Sequence, residues 1–399
     1  MSFFYFRIFL ILAFFSIIQT ELFARQGLMQ IEGKVVDAQG KMPLAGATVY
    51  LDNTTRATVS SESGTFILKN VPSGNYQLII SYVGYNSASV AVNAQNLQRF
   101  TVELESDATL LNEVAIVVNS RWQEYFNTFK TYFLGKQGLQ CNIANPKTLR
   151  FDYNDSTKVL TARAGQPIII ENRALGYRLH YDLTSFVHFA GRTRYAGTTR
   201  FEEITPKDKK ELKQWKANRE KAYFGSSIHF MRSLVNQTLK KEGFVVQRME
   251  KTKRIVGSRN ILLGWQGNEY LSQDTIITFR WKGRDYDPED ATVAAEVLVT
   301  TPFGKSSGYN ILYPGAVPYE NILRATSSTE NYKLSFANSL FVTYKKRLSS
   351  LSTSILTMLM PETFVDVHGN LADPHAVINE GYWATLRVAD QLPFDYVPE

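Results

Sequence analysis

"GNYQLIISYVGY", residues 74–85, leaves one glycine, ends at another and alternates in between. Tyr76, Leu78, Ile80 and Tyr82 point to one side of an extended chain; Gln77, Ile79, Ser81 and Val83 point to the other. Such a strand belongs to a packed sheet. Its neighbours decide whether that sheet carries chemistry or holds something else in place.

The same alternation recurs on both sides of it, at 31–36, 47–51, 65–68, 88–92 and 100–104. In the last of these Phe100, Val102 and Leu104 face inward while Thr101 and Glu103 face out. Turn-forming stretches separate the segments: "DAQGKMPLAG" (37–46), "SSESG" (60–64) and "VPSG" (71–74). Six or seven short strands at this spacing predict an antiparallel β-sandwich of prealbumin or immunoglobulin type over residues 29–105. Its glycines suit tight turns, Pro43 and Pro72 pre-set φ ahead of strands, and Phe66 and Tyr76 are sized to fill the space between sheets.

"GKVVDAQGKMPLAGATVYL" followed by "SGTFILKNVPSGNYQLIISYVGY" resembles the carboxypeptidase-regulatory-like domain of Bacteroidetes envelope proteins. The matching positions are Gly33, Asp37, Gly40, Pro43, Leu44, Gly46, Ala47, Gly64, Phe66, Pro72, Gly74, Tyr76, Gly84 and Tyr85. "ESDATLLNEVAIVV" (105–118) resembles the linker that follows this domain in TonB-dependent nutrient receptors, which gives a linker at 106–119. Turn geometry and core packing account for these positions without chemistry, so the unit reads as a brace, and the resemblance does not imply peptidase activity.

The whole chain fits that picture. It has 399 residues, room for one to three domains, and is 44% hydrophobic and 20% charged, as packed proteins are. Aromatic content of 13% favours strands. Arg7 followed by the apolar run 8–18 and a small residue at Ala24 predicts a signal peptide, residues 1–24, cut after Ala24. The run is short for a membrane-spanning helix, and no later segment is long and apolar enough to be one. The only cysteine, Cys141, lies far from the cut, so neither a lipid anchor there nor an intramolecular disulfide is expected. Loss of Arg7 and Glu21 with the signal leaves the net charge at +7, which in an exported protein points to acidic envelope surfaces rather than nucleic acid.

Residues 120–399 predict an α+β domain with a helical insertion. In "SRWQEYFNTFKTYFLG" (120–135), Trp122, Phe126, Phe129 and Phe133 make a helical stripe ended by Gly135. Strand-like runs follow at 148–153, 158–163, 167–170 and 176–183. A helix-forming stretch, 206–225, then closes at Gly225. Ser226 or Ser227 can cap the next helix, expected to reach Lys241 with Ile228, Met231, Val235 and Leu239 facing the core. Strands return at 275–281, 295–301, 332–336 and 340–345. "CNIANPKTLRFDY", "IIIENRALGYRLHYDL", "WKANREKAYFGSSIHF" and "GYWATLRVADQLPFDYVPE" resemble the C-terminal region, of unknown function, of short Bacteroidetes carboxypeptidase-like regulatory proteins. That resemblance implies architecture and location, not mechanism.

Chemical motifs are sparse. The five histidines, His180, His188, His229, His368 and His375, fall in no HExxH or HxxE pattern, so no catalytic, cofactor-binding or metal-binding residue is assigned and no cofactor is expected. A site assembled from distant strands stays open, with Asp366 and Asp373 near His368 and His375. There is no GxSxG elbow. "GKSS" (304–307) imitates the end of a phosphate loop, but Val299 stands where the loop's first glycine belongs. Cys141 reads as a buried apolar residue, and "DYNDS" (152–156) as a hairpin turn rather than a calcium loop. The basic run 207–221 reads as a solvated helix face, with an anionic-lipid contact as the alternative. Asp155-Ser156-Thr157 and Asp274-Thr275-Ile276 resemble the Bacteroidetes O-glycosylation motif.

The expectation is therefore an exported, non-enzymatic envelope protein that binds or scaffolds, in the periplasm or at the inner face of the outer membrane. Its expected partners are envelope glycan, lipopolysaccharide or an outer-membrane protein. The alternative is a hydrolase acting on envelope glycan or peptide. The stretch after the linker is short for a receptor β-barrel, and "FDYVPE" does not read as a closing barrel strand.

Overall fold

The computed structural model describes residues 28–93, 96–97, 99–106, 121–135, 138, 140–189, 192–251, 270–273, 276–280, 295–301, 304–305, 310–328, 331–346 and 353–399. The signal peptide, nearly all of the linker, Ser306 and Ser307 of "GKSS", and Asp274 and Thr275 lie outside them.

The first unit is the expected sandwich. Its strands are β1 (Leu28–Asp37), β2 (Thr48–Leu51), β3 (Ala57–Val59), β4 (Thr65–Pro72), β5 (Tyr76–Ser81), β6 (Ala88–Val92) and β7 (Phe100–Leu104). They form one sheet in the order β4-β1-β7 and another in the order β3-β2-β5-β6. All pairings are antiparallel except β1 with β7, which run parallel. Between the sheets Ile31, Val35, Val49, Leu51, Phe66, Leu78, Ile80 and Val102 form a core of their own. Ile79 departs from the simple alternation: it points away from that core and is nevertheless buried, as is its cross-strand neighbour Tyr50.

The rest of the chain opens with helix α1 (Trp122–Leu134), which ends at Gly135. Its buried stripe is Tyr125, Phe129, Phe133 and Leu134, displaced from the expected one because Trp122 and Phe126 stack on each other half-buried at the edge. Strands β8 (Cys141–Ile143), β9 (Leu149–Asn154), β10 (Val159–Ala164), β11 (Ile168–Asn172), β12 (Tyr177–Phe189) and β13 (Arg192–Glu203) follow. The helical insertion is α2 (Lys209–Tyr223), α3 (Ser227–Val235) and α4 (Leu239–Glu242). Asp208 caps α2 and Ser226 caps α3. The expected single helix to Lys241 breaks at Asn236–Thr238, and Ile228 lies half-buried while Phe230 and Leu234 join Met231 and Val235 in the core.

The remaining strands are β14 (Phe244–Lys251), β15 (Tyr270–Gln273), β16 (Ile276–Arg280), β17 (Ala295–Thr301), β18 (Gly304–Lys305), β19 (Asn310–Leu312), β20 (Leu323–Ala325), β21 (Asn331–Leu334), β22 (Ser339–Tyr344), β23 (Thr353–Met358), β24 (Thr363–Asp366) and β25 (Val377–Gly381). Short helix α5 (Tyr382–Thr385) follows β25. Fifteen strands form one extended sheet running β16-β17-β19-β14-β22-β23-β25-β15-β13-β12-β10-β9, with β8, β11 and β18 paired off that path. Strands β20, β21 and β24 make a small separate sheet. Helix α1 packs on the β9–β13 end, where Phe129 and Phe133 meet Tyr181, Phe186 and Tyr195. Helix α3 packs on the β14–β22–β23 part through Phe230, Leu234 and Val235.

Candidate functional site

Several buried polar groups meet where the sandwich contacts the extended sheet. The turn between β2 and β3 inserts its main chain there. Asn53 N donates to Thr199 O at 2.7 Å, Phe201 N to Thr54 O at 2.9 Å, and Phe394 N to Asn53 O at 2.7 Å. Asn53 adopts φ of 58°, in the left-handed region that asparagine tolerates, so the turn can present both its N–H and its C=O outward. Thr54, fully buried, lies bridge-paired with Arg200. Thr55 donates from both N and Oγ1 to the Asp395 carboxylate, which also pairs with Arg56 at 3.3 Å.

A second contact involves the turn before β5. Asn75 N donates to Asp366 Oδ2 at 2.8 Å, and Asn75 Nδ2 to Asn331 Oδ1 at 2.6 Å. Asp366 is fully buried and accepts three further bonds, from His368 N, Asn370 N and Asn370 Nδ2. Burial raises its pKa, and the bonds from Asn75, Asn370 and His368 oppose that rise. Arg232 of α3 closes the neighbouring space, donating to the carbonyls of His368, Phe394 and Tyr396 at 3.0, 2.7 and 2.8 Å.

A third contact uses the outer face of the four-stranded sheet. The Tyr50 hydroxyl donates to Asp182 Oδ2 at 3.1 Å and lies 2.8 Å from Thr198 Oγ1. Nearby, Asp52 Oδ1 accepts from Thr199 N at 2.7 Å. Burial pushes the Asp52 carboxyl up to about 7 and raises Asp182 as well. The arrangement holds two units together through acceptors matched to main-chain donors.

The histidines occupy five separate settings. His180 lies on the sheet face that carries Arg178 and Glu202, with its Nε2 3.0 Å from Glu202 Oε2. His188 lies on the opposite face, stacked on Tyr132 of α1 and bonded to Thr193 at 2.8 Å. Eight residues of regular strand would have left both on one face. A β-bulge between Leu183 and Ser185 reverses the parity. Gly197 stands opposite, where a Cβ would come within 2.2 Å of Asp182 O. His229 is buried in a box of Tyr223, Phe224, Phe244 and Tyr344, accepts from Gly225 N at 3.0 Å and approaches Glu242 at 3.5 Å. Burial lowers the pKa of all three. His368 and His375 each donate a main-chain N–H to a nearby aspartate, Asp366 and Asp373.

Among the described residues no group of three or more His, Cys, Asp or Glu is placed to hold a metal. Cys141 is buried, and burial pushes its thiol up to about 12. In "DYNDS" the Asn154 side chain accepts from Ser156 N and Thr157 N, making an Asx turn between β9 and β10. Sequence reasoning did not single out Tyr50, Asp52, Asp182 or Asp395. Their one signal is that "VYL" (49–51) and "LII" (78–80) are apolar without alternation, the pattern of a strand buried on both faces.

No curated protein matches the chain. Among solved structures it is similar to the group B streptococcus pilus 2b backbone protein, at 20% identity, over 21% of this chain and 42% of that one, with a TM-score of 0.18. It is also similar to a type II cohesin–X-dockerin complex from Acetivibrio cellulolyticus, at 24% identity, over 19% of this chain and 51% of that one, with a TM-score of 0.15. A DUF3823 family protein from Parabacteroides merdae aligns at 12% identity over 45% of this chain and 98% of that one, with a TM-score of 0.16. The chain thus spans about half or less of the first two, and likeness at these TM-scores does not extend to a shared overall fold. The family model of the CarboxypepD_reg-like domain matches residues 31–116, from within β1 past the end of β7. The sandwich at the start of this chain is a CarboxypepD_reg-like domain.

Proposed function

We propose that this chain is an exported cell-envelope protein that binds or scaffolds and carries out no reaction of its own. The observation that carries the reading is the use made of Asp366. It is the buried carboxylate that neighbours a histidine in sequence, and all four bonds it accepts fix turns and join the two units. A general base needs a free lone pair facing a substrate; these lone pairs face three main-chain donors and the Asn370 amide. The sandwich then serves as a brace that fixes the orientation of the extended sheet. The N-terminal apolar run supports export. Among the described residues no helix is long and apolar enough to cross a membrane. Proposed partners are envelope glycan, lipopolysaccharide or an outer-membrane protein.

The test is expression of the full chain in a Gram-negative host, with fractionation and mass spectrometry of the mature N-terminus. Recovery in the envelope fraction starting at Arg25 is expected. A cytoplasmic protein retaining Met1 refutes export. Release of soluble fragments from purified envelope glycan by the isolated protein refutes the non-enzymatic assignment.

A further inference from the structure

The two units meet without sharing an apolar core. Among the described residues the sandwich core draws its members from 29–104, and the other two apolar clusters draw theirs from 125–392. The seam rests on hydrogen bonds, and an interface between units moves unless it is large and apolar. Whether it stays shut depends on which polar contacts act together.

Residues 393–396 lie across the seam. On the sandwich side Phe394 N donates to Asn53 O at 2.7 Å. Asp395 accepts from Thr55 N at 3.0 Å and from Thr55 Oγ1, and pairs with Arg56 at 3.3 Å. On the other side Arg232 of α3 donates to Phe394 O and Tyr396 O at 2.7 and 2.8 Å. The Tyr396 ring meets Tyr223 of α2 at 5.9 Å between centroids. A tight turn, with Tyr396 N donating to Pro393 O at 2.9 Å, shapes the segment. Phe394 and Tyr396 belong to none of the three apolar clusters, and Val397 just beyond them is 71% exposed. The segment can therefore lift without opening a core.

These contacts close a circuit. Arg232 Nε donates to His368 O at 3.0 Å, His368 N donates to Asp366, and Asp366 accepts from Asn75 N of the sandwich. The path runs from the turn at 53–56 through 394–396, Arg232 and 366–368, and returns to the sandwich at Asn75. Bonds with an ionised partner, as at Asp395 and Arg232, are the strong ones. Members of one such network support each other, so a break at either residue weakens bonds it does not itself make. The bonds from Thr199 N to Asp52 and from Phe201 N to Thr54 bypass the segment, and they report whether the seam opens as a whole.

We propose that residues 393–396 are a strap that holds the sandwich docked, and that the sandwich leaves the extended sheet as a folded unit when the strap lifts. Release uncovers Tyr50 and its partners Asp182 and Thr198. The inference concerns how the sandwich is held. Its test involves neither export nor catalysis, so it fails separately from the reading above.

The test is hydrogen exchange of the full chain, read at single amides by mass spectrometry. Asp395→Ala should speed exchange at Thr55, Asn75, Thr199 and Phe201 by about tenfold or more, since bonds to a charged group are lost. Val35 and Ile80 inside the sandwich, and Phe133 in α1, should keep their rates. Asp395→Asn retains one acceptor oxygen and should give a smaller rise at the same four amides. Arg232 donates to His368, Phe394 and Tyr396 rather than to the sandwich, yet Arg232→Lys should speed those four amides too. Lys216→Ala, which removes the outer pair with Glu399 at 2.6 Å, should change little. A rise confined to Thr55 overturns the proposal, because it marks a local contact only. If Asp395→Ala also speeds Val35 and Ile80, Asp395→Asn carries the test. Faster exchange at Val35 and Ile80 in that variant as well marks unfolding rather than release and overturns the strap.

Discussion

Replacing Asp366 by alanine should destabilise the whole chain, and the structure gives the size of the effect. The carboxylate is fully buried and accepts from three main-chain N–H groups, those of Asn75, His368 and Asn370, and from the Asn370 amide. A buried donor left without an acceptor costs about 1–3 kcal/mol. Three such donors set an upper range that relief of the carboxylate's own burial reduces. The net loss should be about 3–5 kcal/mol, as for other broken buried networks. Gly74 supplies the matching perturbation. A Cβ there would lie 2.7 Å from Asp366 Oδ2 and 3.2 Å from the Tyr76 ring and hydroxyl. Gly74→Ala should therefore cost about 1–3 kcal/mol by overpacking. In the Asp366→Ala background the nearest clashing atom is gone, so the double mutant should be less unstable than the sum by about 1 kcal/mol or more. Urea denaturation followed by tryptophan fluorescence measures all four proteins. The reasoning fails if Asp366→Ala shifts stability by less than about 1 kcal/mol, or if the two substitutions add within about 0.5 kcal/mol.

Phe129, buried against Phe133, Phe151 and Phe186, should cost about 3–5 kcal/mol when cut to alanine, read as a lowered urea midpoint. The pH dependence follows from Asp52, whose folded pKa of about 7 exceeds its ordinary value of 3.8. The folded state then binds more protons than the unfolded one between those values, so this group's contribution to stability is full below the lower value and is lost as pH rises through the higher. Urea midpoints across that range should therefore show a falling component that Asp52→Asn removes; an unchanged slope in the variant would count against it. Cys141, whose thiol is buried and pushed up to about 12, should react with a thiol-specific disulfide reagent only after denaturation, and rapid native labelling would contradict its burial.

The sandwich was legible because its strands obey a period of two, with turn residues at the breaks. Tyr76, Leu78, Phe66 and Val102 could be placed from spacing alone. Helix α1 was legible for the same reason at the helical period, though Tyr125 rather than Trp122 holds the inner position, since rings at the helix edge can stack on each other instead of entering the core. What periodicity does not encode is which unit covers an outer face. Alternation puts Ile79 on the outer side of its strand and says nothing particular of Tyr50. Both are buried, and Tyr50 reaches Asp182 of the second unit, 132 residues away. Contacts of that sequence separation leave no local trace beyond the unbroken apolar runs at 49–51 and 78–80.

The histidines show why a search by spacing finds no site here. His180 and His188 stand eight residues apart on what looks like one strand, and a regular strand would turn both rings to one face. The extra residue between Leu183 and Ser185 turns one to the charged outer face and the other to α1. Gly197 marks the place in the sequence, since any side chain there would strike the main chain at Asp182. Asp182 pairs with Thr198 in the regular register just before the bulge, where Tyr50 of the sandwich can reach both. One local irregularity thus separates two titratable rings, while the regular stretch before it carries the contact with the sandwich. A spacing of eight residues therefore reports the face of a ring only where the strand between is regular.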